Sequence, residues 1–205
     1  MPIIDVRDNF DGTGGPDIQG RVPPNAGRPE YAWAKAGAVD PGVAFHLGGD
    51  GTVGVPEVGM VEYYVGNPRC PHYKVTATNC TVQTPCTVDV VVRGVDAGNH
   101  YRLTISGITG GWQIVREIAE AQVVLAGATG LDLTPGFSFA LQASGSRLTA
   151  WFNDVQLAEV TDTQWGAKGN AGLRGHRASA APAGALMKVG GFEVVDLVNP
   201  LRSVF

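Results

Sequence analysis

Apolar and polar residues alternate along short stretches of this chain, and turn residues interrupt the alternation roughly every ten positions. In "CTVDVVVRG", Val88, Val90 and Val92 face one way while Thr87, Asp89 and Arg93 face the other. "HYRLTIS" sets Tyr101, Leu103 and Ile105 against Arg102, Thr104 and Ser106. "FSFALQ" sets Phe137, Phe139 and Leu141 against Ser138, Ala140 and Gln142. A period of two with one apolar face predicts antiparallel strands that share a core. Turn signals separate them: "GGDG" at 48–51, "DAGN" at 96–99, "GITGG" at 107–111 and "ASGS" at 143–146. Over 205 residues, this spacing predicts an all-β antiparallel sandwich of about a dozen strands.

Two segments carry more detail. "WQIVREIAEAQVVLAG" reads either as a helix with Ile114, Ile118 and Ala121 on one face, or as two strands around a bend at Ala119–Ala121. Its β-branched residues and its strand-like neighbours favour the strands. "WFNDVQLAEVTD", residues 151–162, reads as a hairpin closed by Asn153-Asp154, which tolerate positive φ. Phe152 then pairs with Val155 and Ala150 with Leu157. Leu148, Ala150, Phe152, Val155 and Leu157 take the core face, and Trp151 and Gln156 take the other. The sandwich is expected over residues 8–196, with extensions at 1–7 and 197–205. A Pro/Gly-rich loop at 13–32 would wrap one edge, and "RASAAPAGA" at 177–185 would form a surface loop.

Composition narrows the class. The chain is 44% hydrophobic and 17% charged, which suits a globular domain. A net charge of −4 without a basic cluster argues against a nucleic-acid surface. The longest apolar runs are too short to span a bilayer as a helix, so no membrane insertion is expected. "MPIIDVRDNF" lacks the basic start and apolar stretch of a secretory signal. Cys70, Cys80 and Cys86 are an odd number, and with no signal they are read as free thiols, although Cys80 and Cys86 flank a turn that a disulfide would bridge.

The order of segments resembles a known family. "DNFDG" at 8–12 is followed by "GR" and Trp33, then "YRLTISG", "WQIVRE", "GFSFALQASGSRLTAWFNDVQLAEVTDT", "GNAGLRG" and a closing "VGGFEVVDL". This resembles the concanavalin A-like lectin/glucanase fold in its laminin-G-like variety, over about residues 8–197. The resemblance implies a jelly-roll sandwich, of the kind found in secreted carbohydrate-binding proteins and in structural proteins of tailed bacteriophages. Within it, the late hairpin and the glycine-rich strand are architectural.

Glucanases of this fold carry paired acids along one strand, at spacings of two or four. No E-x-D-x-E pattern occurs here. Glu117 and Glu120 are three apart and Glu57 and Glu62 five apart, so each pair would point to opposite faces of a strand. His46, His72, His100 and His176 are isolated and read as surface or strand-end residues. There is no G-x-S-x-G elbow and no phosphate loop. No cofactor is expected. Related domains often bind calcium, but Asp5, Asp8, Asp11 and Asp17 do not match a helix-loop-helix calcium loop, and Asp8 and Asp11 are read as turn caps. Trp33 and Trp112 are assigned to the core. Trp151, with Gln156 and with Asn170 or Arg174 nearby, is the candidate platform for a sugar, and burial under a loop or at a subunit interface is the alternative.

Three readings follow. The first is a non-enzymatic virion structural protein of a bacteriophage, a capsid decoration or tail-associated subunit, with host-surface glycan adhesion as a secondary role. Its partners would be other proteins of the capsid or tail lattice, it would be oligomeric, and it would assemble in the host cytoplasm. The second is a free carbohydrate-binding module. The third is a glycan-processing enzyme with an unusual site.

Overall fold

The computed structural model describes residues 3–10, 18–19, 21–23, 32–36, 43–47, 50–55, 58–66, 68, 70–166, 169–179 and 187–197. Among the described residues there is no helix, and sixteen strands form two antiparallel sheets. The chain begins with β1 (Ile3–Asp8), β2 (Ala34–Lys35), β3 (His46–Leu47), β4 (Val53–Gly54), β5 (Gly59–Gly66) and β6 (Tyr73–Val82). It continues through β7 (Thr87–Asp96), β8 (Asn99–Ser106), β9 (Gly111–Ile118), β10 (Ala121–Ala128) and β11 (Phe137–Ser144). The last strands are β12 (Arg147–Phe152), β13 (Val155–Thr161), β14 (Asn170–Arg177), β15 (Met187–Val189) and β16 (Gly191–Asp196).

One sheet has seven strands in the order β10-β9-β8-β7-β14-β5-β2. The other has nine, running β13-β12-β11-β6-β15-β4-β3, with β16 also paired to β6 and β1 paired to β16. Residues 3–7, read from sequence as an extension, therefore lie in a strand of the sandwich. The loop expected at 13–32 falls mostly outside the described residues. So do most of 177–185 and of 197–205.

The inner faces follow the alternation. Val88, Val90, Val92, Tyr101, Leu103 and Ile105 of one sheet meet Phe139, Leu141, Leu148 and Ala150 of the other, all fully or almost fully buried. Trp33 and Trp112 are in this core, as expected. Residues 111–128 form the two strands β9 and β10, because Ala119 and Glu120 take φ of 47° and 70° and close a tight hairpin that no helix would tolerate.

The 151–162 hairpin turns at Asn153 and Asp154, with φ of 45° and 63°. Its pairing differs from the simple expectation. Trp151 faces Gln156, but Ala150 faces Ala158, so Leu157 is the extra residue of a bulge. Leu157 still packs against the core, whereas Val155 is 65% exposed rather than buried. Arg93 also departs from its assignment. A φ of 54° turns its side chain to donate to the carbonyls of Trp165 and Gly145, and it is buried.

Asp8 and Phe10 of "DNFDG", Arg21 of "GR" and Trp33 meet in one place. The fully buried Asp8 carboxylate accepts from the Phe10 amide at 2.8 Å, from Arg21 Nη2 at 3.0 Å and from Trp33 Nε1 at 2.9 Å. Asp8 caps its turn as expected, and it also ties two later segments to the first strand. Cys80 and Cys86 are buried free thiols, and Cys70 is a half-buried one.

"GNAGLRG" has its own packing reason. A Cβ on Gly172 would stand 2.5 Å from the Tyr63 carbonyl oxygen and from the Tyr64 ring. Gly172→Ala is therefore expected to lower stability by about 1–3 kcal/mol. Gly166→Ala, where the added methyl meets open space, is expected to stay within about 0.5 kcal/mol. Urea unfolding of the two variants checks the difference.

Candidate binding groove

The outer face of the seven-stranded sheet carries residues that the alternation assigns to solvent, yet many are buried. Register sets them in rows. Glu62 of β5 lies opposite Arg174 of β14, Arg174 opposite Asp89 of β7, Asp89 opposite Thr104 of β8, and Thr104 opposite Gln113 of β9. In the next row, Tyr64, Gly172, Val91, Arg102 and Val115 face one another in turn. Beyond that, His100 faces Glu117. One half of the face is thus charged, and the half around Thr87, Thr104, Ser106 and Gln113 is hydroxyl- and amide-bearing.

The charged half is closed. Glu62, Asp89, His100, Arg102, Glu117 and Arg174 are each at most 5% exposed. Glu117 Oε2 accepts from Arg102 Nη1 and from Arg174 Nη1, the latter at 3.2 Å. Asp89 Oδ2 lies 3.3 Å from Arg102 Nε and 3.7 Å from Arg174 Nε. Arg174 Nη1 also reaches Glu62 Oε2 at 3.4 Å. His100 Nε2 takes Arg102 Nη1 at 3.2 Å and Arg174 Nη1 at 3.3 Å, so Nε2 is the acceptor and the ring proton sits on Nδ1. Nδ1 faces the Asp96 carbonyl at 3.5 Å and Glu62 Oε1 at 3.4 Å. His100, read as a surface or strand-end residue, is fully buried because its strand lies between two others under this cluster.

Burial decides the protonation of two members. It pushes Glu62 up to about 8, against the pull of Arg174. It holds His100 down at about 3, with Arg102 and Arg174 adding to the effect. Asp89 is also raised by burial, with both arginines opposing. At neutral pH the carboxyl of Glu62 is therefore protonated and the imidazole of His100 uncharged.

Among the described residues, two depressions open on this side of the sheet. A groove of about 570 Å³ has Thr87, Thr104, Ser106 and Gln113 along its floor and Val124, Gly127 and Ala128 of β10 along its wall. Ile108, Thr109 and Thr129 also line it, and among the described lining residues none is charged. A smaller cleft of about 310 Å³ is lined by Met60, Ala97, Gly98, Glu117, Glu120, Gln122 and Arg174. Glu117 and Glu120 were expected on opposite faces. The hairpin turn at Glu120 breaks the alternation, and both line this cleft.

The residues singled out from sequence fall in different places. Trp151 and Gln156 face each other across β12 and β13, on the outer face of the nine-stranded sheet. Trp151 is partly exposed, with the Lys74 ammonium 5.1 Å from its ring centroid. Asn170 is the half-buried first residue of β14, and Arg174 belongs to the closed cluster on the other sheet. Trp151 and Gln156 are brought together, and the thickness of the sandwich separates them from Arg174. Among the described residues no three His, Cys, Asp or Glu side chains are grouped to hold a metal ion. The side chains of Asp5, Asp11 and Asp17 fall outside the described ones.

The layout of sheets is that of the concanavalin A-like jelly roll, and solved structures bear this out. The carbohydrate binding module CBM66 from Bacillus subtilis superposes with a TM-score of 0.59 at 16% identity, covering 80% of this chain and 93% of that one. SCLam, a non-specific endo-β-1,3(4)-glucanase from family GH16, gives 0.62 at 10% identity, covering 95% and 91%. The exoplasmic/lumenal domain of VIP36, in a Ca2+/Man3GlcNAc-bound form, gives 0.61 at 9% identity, covering 86% and 89%. No family model matches the chain. No curated protein sequence matches it significantly. The chain therefore has a fold shared by glycan-binding modules and glycosidases, at identities that speak to the fold alone.

The buried cluster makes stability depend on pH in a defined way. Glu62, raised from 4.5 to about 8, removes stability as pH climbs through that interval. His100, lowered from 6.5 to about 3, removes stability as pH falls through its own interval. Between 4.5 and 6.5 the two slopes oppose and cancel. From 6.5 to about 8 His100 no longer offsets Glu62, which contributes a decline on the order of 1 kcal/mol per pH unit, and the raised Asp89 acts in the same direction. Unfolding free energies measured across this range are expected to fall more steeply for the native chain than for Glu62→Gln. An equal decline in both would contradict the assignment.

Proposed function

We propose that this chain is a non-catalytic carbohydrate-binding domain that holds a neutral saccharide in the groove beside β10. The observation that carries the reading is the lining of that groove. Hydroxyls of Thr87, Thr104 and Ser106 and the amide of Gln113 can both donate and accept. Val124 and Ile108 add apolar edges suited to the C–H faces of a sugar ring. Without a charged lining residue, the groove offers nothing to a uronate or a sulfate.

Hydrolysis fits poorly with the same face. Glycosidases of the usual kind need one carboxylate free to act as nucleophile or base and a second carboxyl positioned as acid. Here Asp89 and Glu117 each lie against both arginines, and protonated Glu62 is sealed beneath. The glycan-directed names of similar structures support glycan binding. The virion role and location expected from the resemblance find no support among them.

Titration calorimetry with neutral β-glucan, agaro- and manno-oligosaccharides tests the proposal. At least one series is expected to bind, and Gln113→Ala and Thr104→Ala each to weaken binding by about tenfold. No reducing ends should be released. Release that disappears in Glu117→Gln would establish an enzyme instead, and affinity unaffected by Gln113→Ala would move the site elsewhere.

A further inference from the structure

The free edges of the two sheets are not alike. Among the described residues, β2 and β3 are only two residues long. β1 carries the exposed Arg7, and β13 carries Glu159 paired with the exposed Arg147. Short length and charge are the usual protections of a sheet edge against pairing with another chain. β10 has neither. Its eight residues, AQVVLAGA, contain no charge and only one polar side chain. Its first four are exposed, with Val123 at 43% and Val124 at 53%. A bulge at Leu125 interrupts only the second half.

We propose that β10 is a pairing edge for a second copy of this chain, joined antiparallel about a two-fold axis at Val123. The register follows from the hairpin. Ala121 pairs with Ile118 next to the two-residue turn, so Ala121 and Val123 direct their N–H and C=O groups toward β9. Gln122 and Val124 direct theirs outward. Pairing through those outward groups sets Gln122 opposite Val124 of the second copy, and Val123 opposite its own counterpart in a close, non-hydrogen-bonded pair. A β-branched pair at that position is favourable. Self-pairing suits an uncharged strand, because no like charges meet when it lies against itself. The two seven-stranded sheets then become continuous. The two grooves, each walled by its own β10, lie side by side across the axis.

Val123 lines neither depression, so the test of assembly is separate from the test of saccharide binding. Sedimentation velocity over a concentration series reaching about 1 mM is expected to show a reversible dimer. Val123→Lys places two ammonium groups opposite each other and is expected to leave only monomer, with melting temperature and saccharide affinity per chain unchanged. Val123→Thr, which is β-branched and neutral, is expected to keep the dimer. Should the lysine variant fail to fold, Ala121→Lys puts a charge at an exposed position on the same edge. A native chain that stays monomeric throughout would overturn the proposal. So would a dimer untouched by charge on β10, or one broken only by charge on β1 or β13.

Discussion

Two arginines placed on the outer face of a sheet constrain most of what surrounds them. Arg102 and Arg174 are almost fully buried, and an unpaired guanidinium in that position would be prohibitively costly. Asp89 and Glu117 answer both, so four strands must stand in one order and one register for the charges to meet. A slip of one residue in β7 or β14 would send Asp89 or Arg174 into the apolar core. Burial of such a cluster need not add net stability, since desolvation offsets the attraction. Its effect is to penalise every alternative pairing of the central strands. The uncharged state of Glu62 and His100 fits that role, because it leaves Asp89 and Glu117 as the acidic residues that face both arginines.

The same cluster determines where a ligand can go. With the charged half reduced to the smaller cleft beside Glu117 and Arg174, the larger opening lies over the hydroxyl half, where β10 contributes to the lining. Tyr64 helps to close the first half. Its ring lies across Gly172 and toward Gly94, and its hydroxyl donates to the Asp96 carbonyl at 2.7 Å. Tyr64 thus serves as cover, and Trp112, the aromatic residue that lines the groove, is 7% exposed and packs in the core. The partly exposed Trp151, which has the look of a sugar platform in sequence, stands on the opposite sheet under the Lys74 ammonium.

How far the amino-acid order foretells this arrangement depends on the range of each interaction. Alternation is local, and β8, β11 and β12 follow it closely, as β7 does up to Val92. The turn at Asn153–Asp154 is also local and falls where turn chemistry puts it, and that at Ala119–Glu120 lies within the bend expected at 119–121 from the β-branched runs on either side. The bulge at Leu157 is not foreseeable, because one extra residue leaves the apolar spacing almost unchanged while exposing Val155. The ion cluster is least legible of all. Alternation says that Asp89 and Arg102 share a face with polar neighbours, but not that the face is covered. Its members come from five strands spread between Glu62 and Arg174, and only sheet order brings them together. Glu117 and Glu120 show the converse, since counting along a strand separates two carboxyls that a hairpin turn reunites.

The glycines of "GNAGLRG" follow from the same covered face. A strand buried on one side needs room on that side alone, and glycines two apart would provide it. Strand β14 is enclosed on both sides, and Gly172 and Gly175 are three apart, so they open onto opposite faces. On the outer face, a Cβ at Gly172 would meet Tyr64. On the inner face, a Cβ at Gly175 would meet Met187, Val55 and Phe45. Between them, Leu173 fills the core and Arg174 enters the ion cluster. Glycine is usually a weakness inside a strand, for entropy and for lost packing. At the centre of this sheet it is what lets an aromatic cover and an apolar core approach one backbone from both sides, and the spacing of three records that enclosure directly in the sequence.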